Sequence, residues 1–162
     1  MSAAEATPAR DQTTSSAIGS WLLTLTRVVL GGIFLFAAYG KLRNPHAFAG
    51  SVGAFKLLHE SILIEVGLLF IWHEIVCGLL LVLGLWARAA ALVTGAMVLA
   101  FIIAMITALA RGLDIECGCF GNLLKSGVGW GSILRTSVFL LMALAVILWG
   151  PGRLSLTSAG KR

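Results

Sequence analysis

The sequence predicts an all-α integral membrane protein, a four-helix bundle with an interfacial helix between helices one and two. Three observations carry that prediction. Of the 162 residues, 59% are hydrophobic and only 12% charged, where a soluble domain carries about 25% charged residues. The mean hydropathy is +0.98. The apolar residues also run in long uncharged blocks and not in a 3.6-residue stripe, which is what lipid demands of a helix needing roughly 20 apolar residues to span. The net charge of +5 comes from cations scattered singly at block edges. That distribution suits phospholipid headgroups and excludes a nucleic-acid-binding stripe.

Taken in order, residues 1–20 are small and polar, include Pro8 and show no hydrophobic period. They read as a disordered N-terminal tail and not as a signal peptide, since the apolar block begins at Trp21. The membrane domain covers 21–150. Helix one is expected from Trp21 to Tyr39, stopped by Gly40-Lys41 and by Arg43-Asn44-Pro45. Residues 46–60 carry Phe48, Val52, Phe55 and Leu58 at helical spacing and read as the interfacial helix. The stretch from Ser61 to Trp86 would make a straight helix of about 39 Å against a hydrocarbon core of roughly 30 Å. Assigning 61–69 to the interfacial segment and starting helix two near Phe70 resolves the excess. Helix three is expected at 89–110 and helix four at 132–149, closed by Gly150-Pro151, with 151–162 a flexible tail.

Four spans put both termini on one side. Trp21, Trp86 and Trp149 then mark that face, and Trp72 and Trp130 the other, as aromatic belts do. The cations divide evenly between the faces, so the positive-inside rule assigns no orientation. Ala91 and Gly95 have the four-residue spacing of close helix packing.

The chemistry concentrates in Arg111-Gly-Leu-Asp-Ile-Glu-Cys-Gly-Cys-Phe-Gly-Asn122. One glycine between Cys117 and Cys119 lets both sulfurs face one site. Two thiols that close form a redox pair or a soft-metal ligand set for Cu(I) or Hg(II). A bridge between them would close a small, readily reduced ring, and the bland alternative is that both are inert apolar residues. Cys77 is the third cysteine. With helix two starting near Phe70 it would lie two turns below the loop, within reach as an exchange partner. Glu74, three residues earlier, would share its helix face and handle the proton. Arg27 and Glu74 are ionisable residues inside spans and count as candidates; they would pair across antiparallel helices, for function or only for packing. His73 and Glu65 read as interfacial polar residues. Phosphate-loop, His-Glu-x-x-His and Cys-x-x-Cys motifs are absent from the sequence.

Arg27, Gly-Gly-Ile-Phe-Leu-Phe at 31–36, Gly40-Lys41-Leu42, Pro45 and Phe48-Ala49-x-Ser51-Val52 resemble the opening half of the DoxX/MauE family. Trp72-x-Glu74-x-x-Cys77-Gly78 and Arg111-Gly-Leu-Asp-x-x-Cys-Gly-Cys-Phe-Gly121 resemble its MauE branch, and the likeness covers about residues 20–150. The resemblance implies a multi-pass protein of the bacterial inner membrane with cytoplasmic termini, placing the cysteine loop on the oxidising side. It further implies thiol chemistry beside a thioredoxin-like or disulfide-rich extracytoplasmic partner, in a family linked to methylamine utilisation. The leading expectation is a thiol–disulfide relay through Cys117 and Cys119, with Cys77 passing electrons inward and a quinone, by fold analogy alone, as acceptor. The alternatives are a non-enzymatic assembly scaffold and a soft-metal carrier.

Overall fold

The structure is a computed structural model that describes residues 11–113, 115, 127–150 and 152. Its helices are α1 (Asp11–Leu42), α2 (Pro45–Ala54), α3 (Leu63–Leu83), α4 (Ala87–Ala110) and α5 (Trp130–Trp149), with a 3₁₀ turn at Glu60–Ile62 leading into α3. Four stretches, Gly19–Leu42, Glu60–Leu83, Ala87–Ala110 and Trp130–Trp149, are long and apolar enough to cross a membrane. The fold is the expected four-helix membrane bundle. Each span buries only 28–39% of its residues inside the bundle. The remaining leucines, valines and isoleucines face outward, which is why no amphipathic period marks the sequence.

Helix ends follow local chemistry. α1 stops at Leu42, and Asn44 caps α2 by accepting the Ala47 amide at 3.1 Å, with Pro45 in the first turn. Gly84 ends α3 in the left-handed region, at φ 73°, and its amide bonds back to Leu80 O. That turn lets α4 begin three residues later.

Two helix starts differ from expectation. α1 begins at Asp11, ten residues before Trp21, because extending an existing helix into neighbouring polar residues is far easier than nucleating one. Residues 1–10 lie outside the described set, as does all of the C-terminal segment except Gly152. The larger correction concerns α3, which starts at Leu63 and runs unbroken, so 61–69 is not a separate interfacial piece. Trp72 consequently sits about 14 Å beyond Leu63 along the helix, well inside the span and 63% exposed. It is not at the helix mouth.

α2 explains how the long α3 is accommodated. α1 meets α3 at Gly78 and Glu74, and α2 covers the first half of α3: Phe48, Val52 and Ile71 form a small buried cluster there. A Cβ on Gly67 would stand 3.6 Å from both Ala49 Cβ and Phe48 Cδ1.

The bundle closes through small residues. A Cβ on Gly31 of α1 would lie 2.8 Å from Gly78 O of α3, and one on Gly78 would lie 3.1 Å from Gly31 O. On the other side Gly95 of α4 faces Ala143 of α5, where a Cβ on Gly95 would lie 3.6 Å from Ala143 Cβ. The Ala91/Gly95 reading therefore corresponds to a real contact, and the Gly31–Gly78 crossing is closer still.

The Gly31–Gly78 backbone approach has no room for a methyl group, whereas Gly32 has no atom within 4 Å of a Cβ. Gly31→Ala should therefore lower stability in detergent by about 1–3 kcal/mol, the usual penalty of overpacking. Gly32→Ala should leave it unchanged or raise it slightly. Thermal unfolding followed by circular dichroism decides between them.

Candidate functional site

The buried stripe of α1 is Arg27, Leu30, Phe34, Ala37 and Lys41, spaced alternately three and four residues apart and no more than 6% exposed. That spacing puts all five on one helix face. The face meets α3, and a cation stands at each end of it.

Lys41 forms an ion pair with Glu74 Oε1, and both are buried, with side chains 2% and 5% exposed. The ammonium also lies over the Phe48 ring of α2, 4.8 Å from its centroid. One side chain thus ties α1, α2 and α3 together. The second carboxylate oxygen, Glu74 Oε2, is buried and has no hydrogen-bond partner among the described residues.

Arg27 is 1% exposed and does not meet Glu74 as expected. Its guanidinium lies beside Gly84, at the end of α3 where the last carbonyls carry partial negative charge. The antiparallel stagger dictates the exchange of partners. Arg27 and Lys41 are separated along α1 by about 21 Å, and only Lys41 is level with Glu74. Sequence reading missed Lys41 by treating it as a headgroup cation. The signal available was its place in the Arg27–Leu30–Phe34–Ala37 stripe.

Cys77 is buried, and its thiol is free. Its Sγ stands 3.5 Å from His73 Nε2, one turn earlier on α3, with Thr94 of α4 alongside. Glu74 was expected to serve the thiol. It is turned toward α1 instead, and His73 takes the position beside the sulfur. Because α3 starts at Leu63, Cys77 lies about 21 Å along the axis from that end, four turns deep and not two. Neighbouring Thr94 is similarly about 24 Å from the Ala110 end of α4.

Cys117 and Cys119 lie outside the described residues. The ends of their segment are described. Gly112 caps α4 in the left-handed region, at φ 65°, and Leu113 N bonds to Ala108 O at 3.0 Å. Beyond it, Val128 N donates to Ile115 O at 2.8 Å, and Leu113, Ile115 and Val128 pack on the main core beside Phe55. Arg111 Nη1 donates to Phe55 O at 3.1 Å, joining this face to the end of α2. Both limbs of the cysteine segment are therefore held at one end of the bundle.

Two cavities lie between that face and the ion pair. The smaller, about 40 Å³, is lined by Phe34, Lys41, Glu74, Met97, Phe101 and Thr136 among others. The larger, about 190 Å³, is apolar and is lined by Val52, Phe55, Leu58, Phe70, Met97 and Phe101 among others. Met97 and Phe101 line both.

The buried pair sets a stability test. Removing one partner strands the other charge, so Lys41→Met or Glu74→Gln alone should cost about 3–5 kcal/mol. Lys41→Met combined with Glu74→Leu should regain most of that loss, since no charge remains to be desolvated. Unfolding of all variants in the same detergent gives the coupling directly.

The family model described as "Methylamine utilisation protein MauE" matches residues 19–150, the whole bundle. A methylamine utilization protein MauE of Paracoccus denitrificans is 35% identical over 126 residues, covering 77% of this chain and 68% of the relative. The protein of that name from Methylorubrum extorquens AM1 is 33% identical over 124 residues, covering 76% and 67%. No solved structure gives a significant match to the chain. With its four membrane-spanning helices and a match running from the start of the first span to the end of the last, this multi-pass membrane protein belongs to the MauE family.

Proposed function

We propose that this protein is a membrane thiol–disulfide relay that matures an extracytoplasmic redox protein, in a pathway of methylamine utilisation like that named for its relatives. Cys117 and Cys119 are the exchanging pair. The partner is a thioredoxin-like or disulfide-rich protein outside the cytoplasmic membrane, and both termini of the chain are cytoplasmic.

The observation that carries this reading is that the described residues on both flanks of the cysteine segment are held at one end of the bundle, through the Ile115–Val128 and Arg111–Phe55 bonds. A transfer site needs its sulfurs presented to a soluble partner while their carrier stays fixed. In the exchange, a partner thiolate attacks the Cys117–Cys119 disulfide and forms a mixed disulfide. A second partner thiolate then releases it, leaving the partner oxidised and Cys117 and Cys119 as thiols. A membrane quinone restores the pair: the two thiols give up two electrons and two protons, the disulfide re-forms, and the quinone becomes quinol.

Cys77 has no place in this exchange. Its depth and its contact with His73 suit a packing residue between α3 and α4.

Cys117→Ser together with Cys119→Ser should abolish complementation of a strain lacking this gene on methylamine, and Cys77→Ala should keep it near wild type. Each single serine variant should accumulate a mixed disulfide with the oxidised partner, visible on non-reducing gels, because its one remaining thiolate can attack the partner's disulfide but lacks the second thiol that would complete the reverse exchange. Permanently reduced cysteines in native membranes, with no mixed disulfide trapped, would overturn the relay. Full complementation by the double variant would point to an assembly scaffold.

A further inference from the structure

We infer that the two adjoining cavities form one binding site for a lipid-soluble molecule bearing a small hydrogen-bonding head, a hydroxyl or a carbonyl, on an apolar body. The shape argues first. The 40 Å³ chamber exceeds the roughly 10–15 Å³ needed for one water-sized group. It is too small for a ring. The 190 Å³ chamber exceeds the roughly 150 Å³ known to hold a benzene-sized molecule. A ligand filling both puts its bulk in the larger and only a polar substituent in the smaller.

The chemistry of the walls agrees with that division. Lys41 and Glu74 are among the residues lining the small chamber, and Glu74 Oε2 is a buried acceptor without a hydrogen-bond partner among the described residues. A buried carboxylate oxygen left unpaired costs free energy that a ligand hydroxyl would offset. A ligand carbonyl would instead accept from the Lys41 ammonium. The large chamber offers only aliphatic and aromatic walls. Its rim includes the apolar side chains Leu57 and Leu58, which are 53% and 38% exposed just before the Glu60–Leu83 span, an entrance that suits a molecule arriving from the bilayer.

Phe101 and Met97 form the partition between the two chambers. The Phe101 ring is held edge-on by Phe55 and by Phe70, each with a centroid separation of 6.2 Å. Met97 completes the wall and is the flexible part of it. Phe55 also accepts the Arg111 bond that ties down the cysteine-bearing segment, so the large chamber opens directly beneath that segment's anchorage. Identifying the bound molecule with the quinone of the relay rests on the reading proposed above. The site itself rests on the cavities and Glu74 alone.

The test uses the purified full chain in detergent, melted with decylubiquinol, dioleoylglycerol or decylbenzene, since a ligand that binds the folded state raises Tm in a saturable way. A saturable rise with decylubiquinol but not with decylbenzene is expected. A rise with dioleoylglycerol alone would uphold the site and assign it to a lipid hydroxyl. Ala104→Leu, which narrows the large chamber, and the doubly neutral Lys41→Met/Glu74→Leu protein should each weaken the midpoint at least tenfold. Equal shifts with decylbenzene, no shift with either polar probe, or wild-type binding by both variants would overturn the site. Measuring the same titration on Cys117→Ser/Cys119→Ser protein separates the two proposals. Binding intact there, alongside a failed disulfide trap in native membranes, removes the relay and leaves the site.

Discussion

Holding a lysine ammonium out of water inside an apolar bundle costs several kcal/mol unless a counter-charge meets it, and here the counter-charge is the Glu74 carboxylate. The rest of the structure is arranged around that meeting. Lys41 is the penultimate residue of α1 and Glu74 lies near the middle of α3, so joining them fixes the stagger of the two helices. The Arg27 guanidinium lies beside Gly84 at the end of α3, and Gly31 crosses α3 at Gly78. The two glycines permit the backbone approach that brings the charges together. A bulkier pair at that crossing would push the helices apart at the depth where separation is least tolerable.

The first half of α3 calls for a second partner. α2 supplies one. Its Phe48 serves twice, packing against Ile71 and placing its ring under the Lys41 ammonium. The break at Arg43-Asn44-Pro45 is thus more than a helix stop. It lets the chain change direction immediately after the charge has been placed, with Asn44 satisfying an amide that the break would otherwise orphan.

Much of this was legible in the sequence, for identifiable reasons. Four long apolar blocks determine four spans because lipid leaves backbone groups no alternative to internal helical bonds. Pro45 and Gly150 mark real boundaries because proline and glycine act locally. The site was less legible. Assigning Glu74 to Arg27 failed because both residues are conspicuous inside spans, while Lys41 sits at a span's edge, where lysines usually snorkel to headgroups. Only the three-and-four spacing from Arg27 through Phe34 to Lys41 reveals that it points inward. The start of α3 was misplaced for a different reason. A hydropathy count assumes each span stands alone against the bilayer, and it has no means of seeing that α2 would lie along α3 and share its length.

That misplacement had a chemical consequence. A start at Phe70 would have drawn Cys77 up to the cysteine-bearing face and made three thiols look like one site. With α3 beginning at Leu63, Cys77 stands beside Thr94 and His73, deep in the bundle and on the far side of the Lys41–Glu74 level. What occupies the space between the anchored segment and that level is the pair of cavities, divided by Met97 and Phe101. In the proposed relay, electrons leaving Cys117 and Cys119 therefore need no third cysteine. An acceptor lodged in the larger chamber would lie beside Phe55, whose carbonyl holds Arg111 ahead of their segment, with its polar group turned toward Glu74. On this reading the expensive buried charge pair does two things at once. It sets the stagger that creates the chambers, and it supplies the polar contact that a ligand would find at their floor.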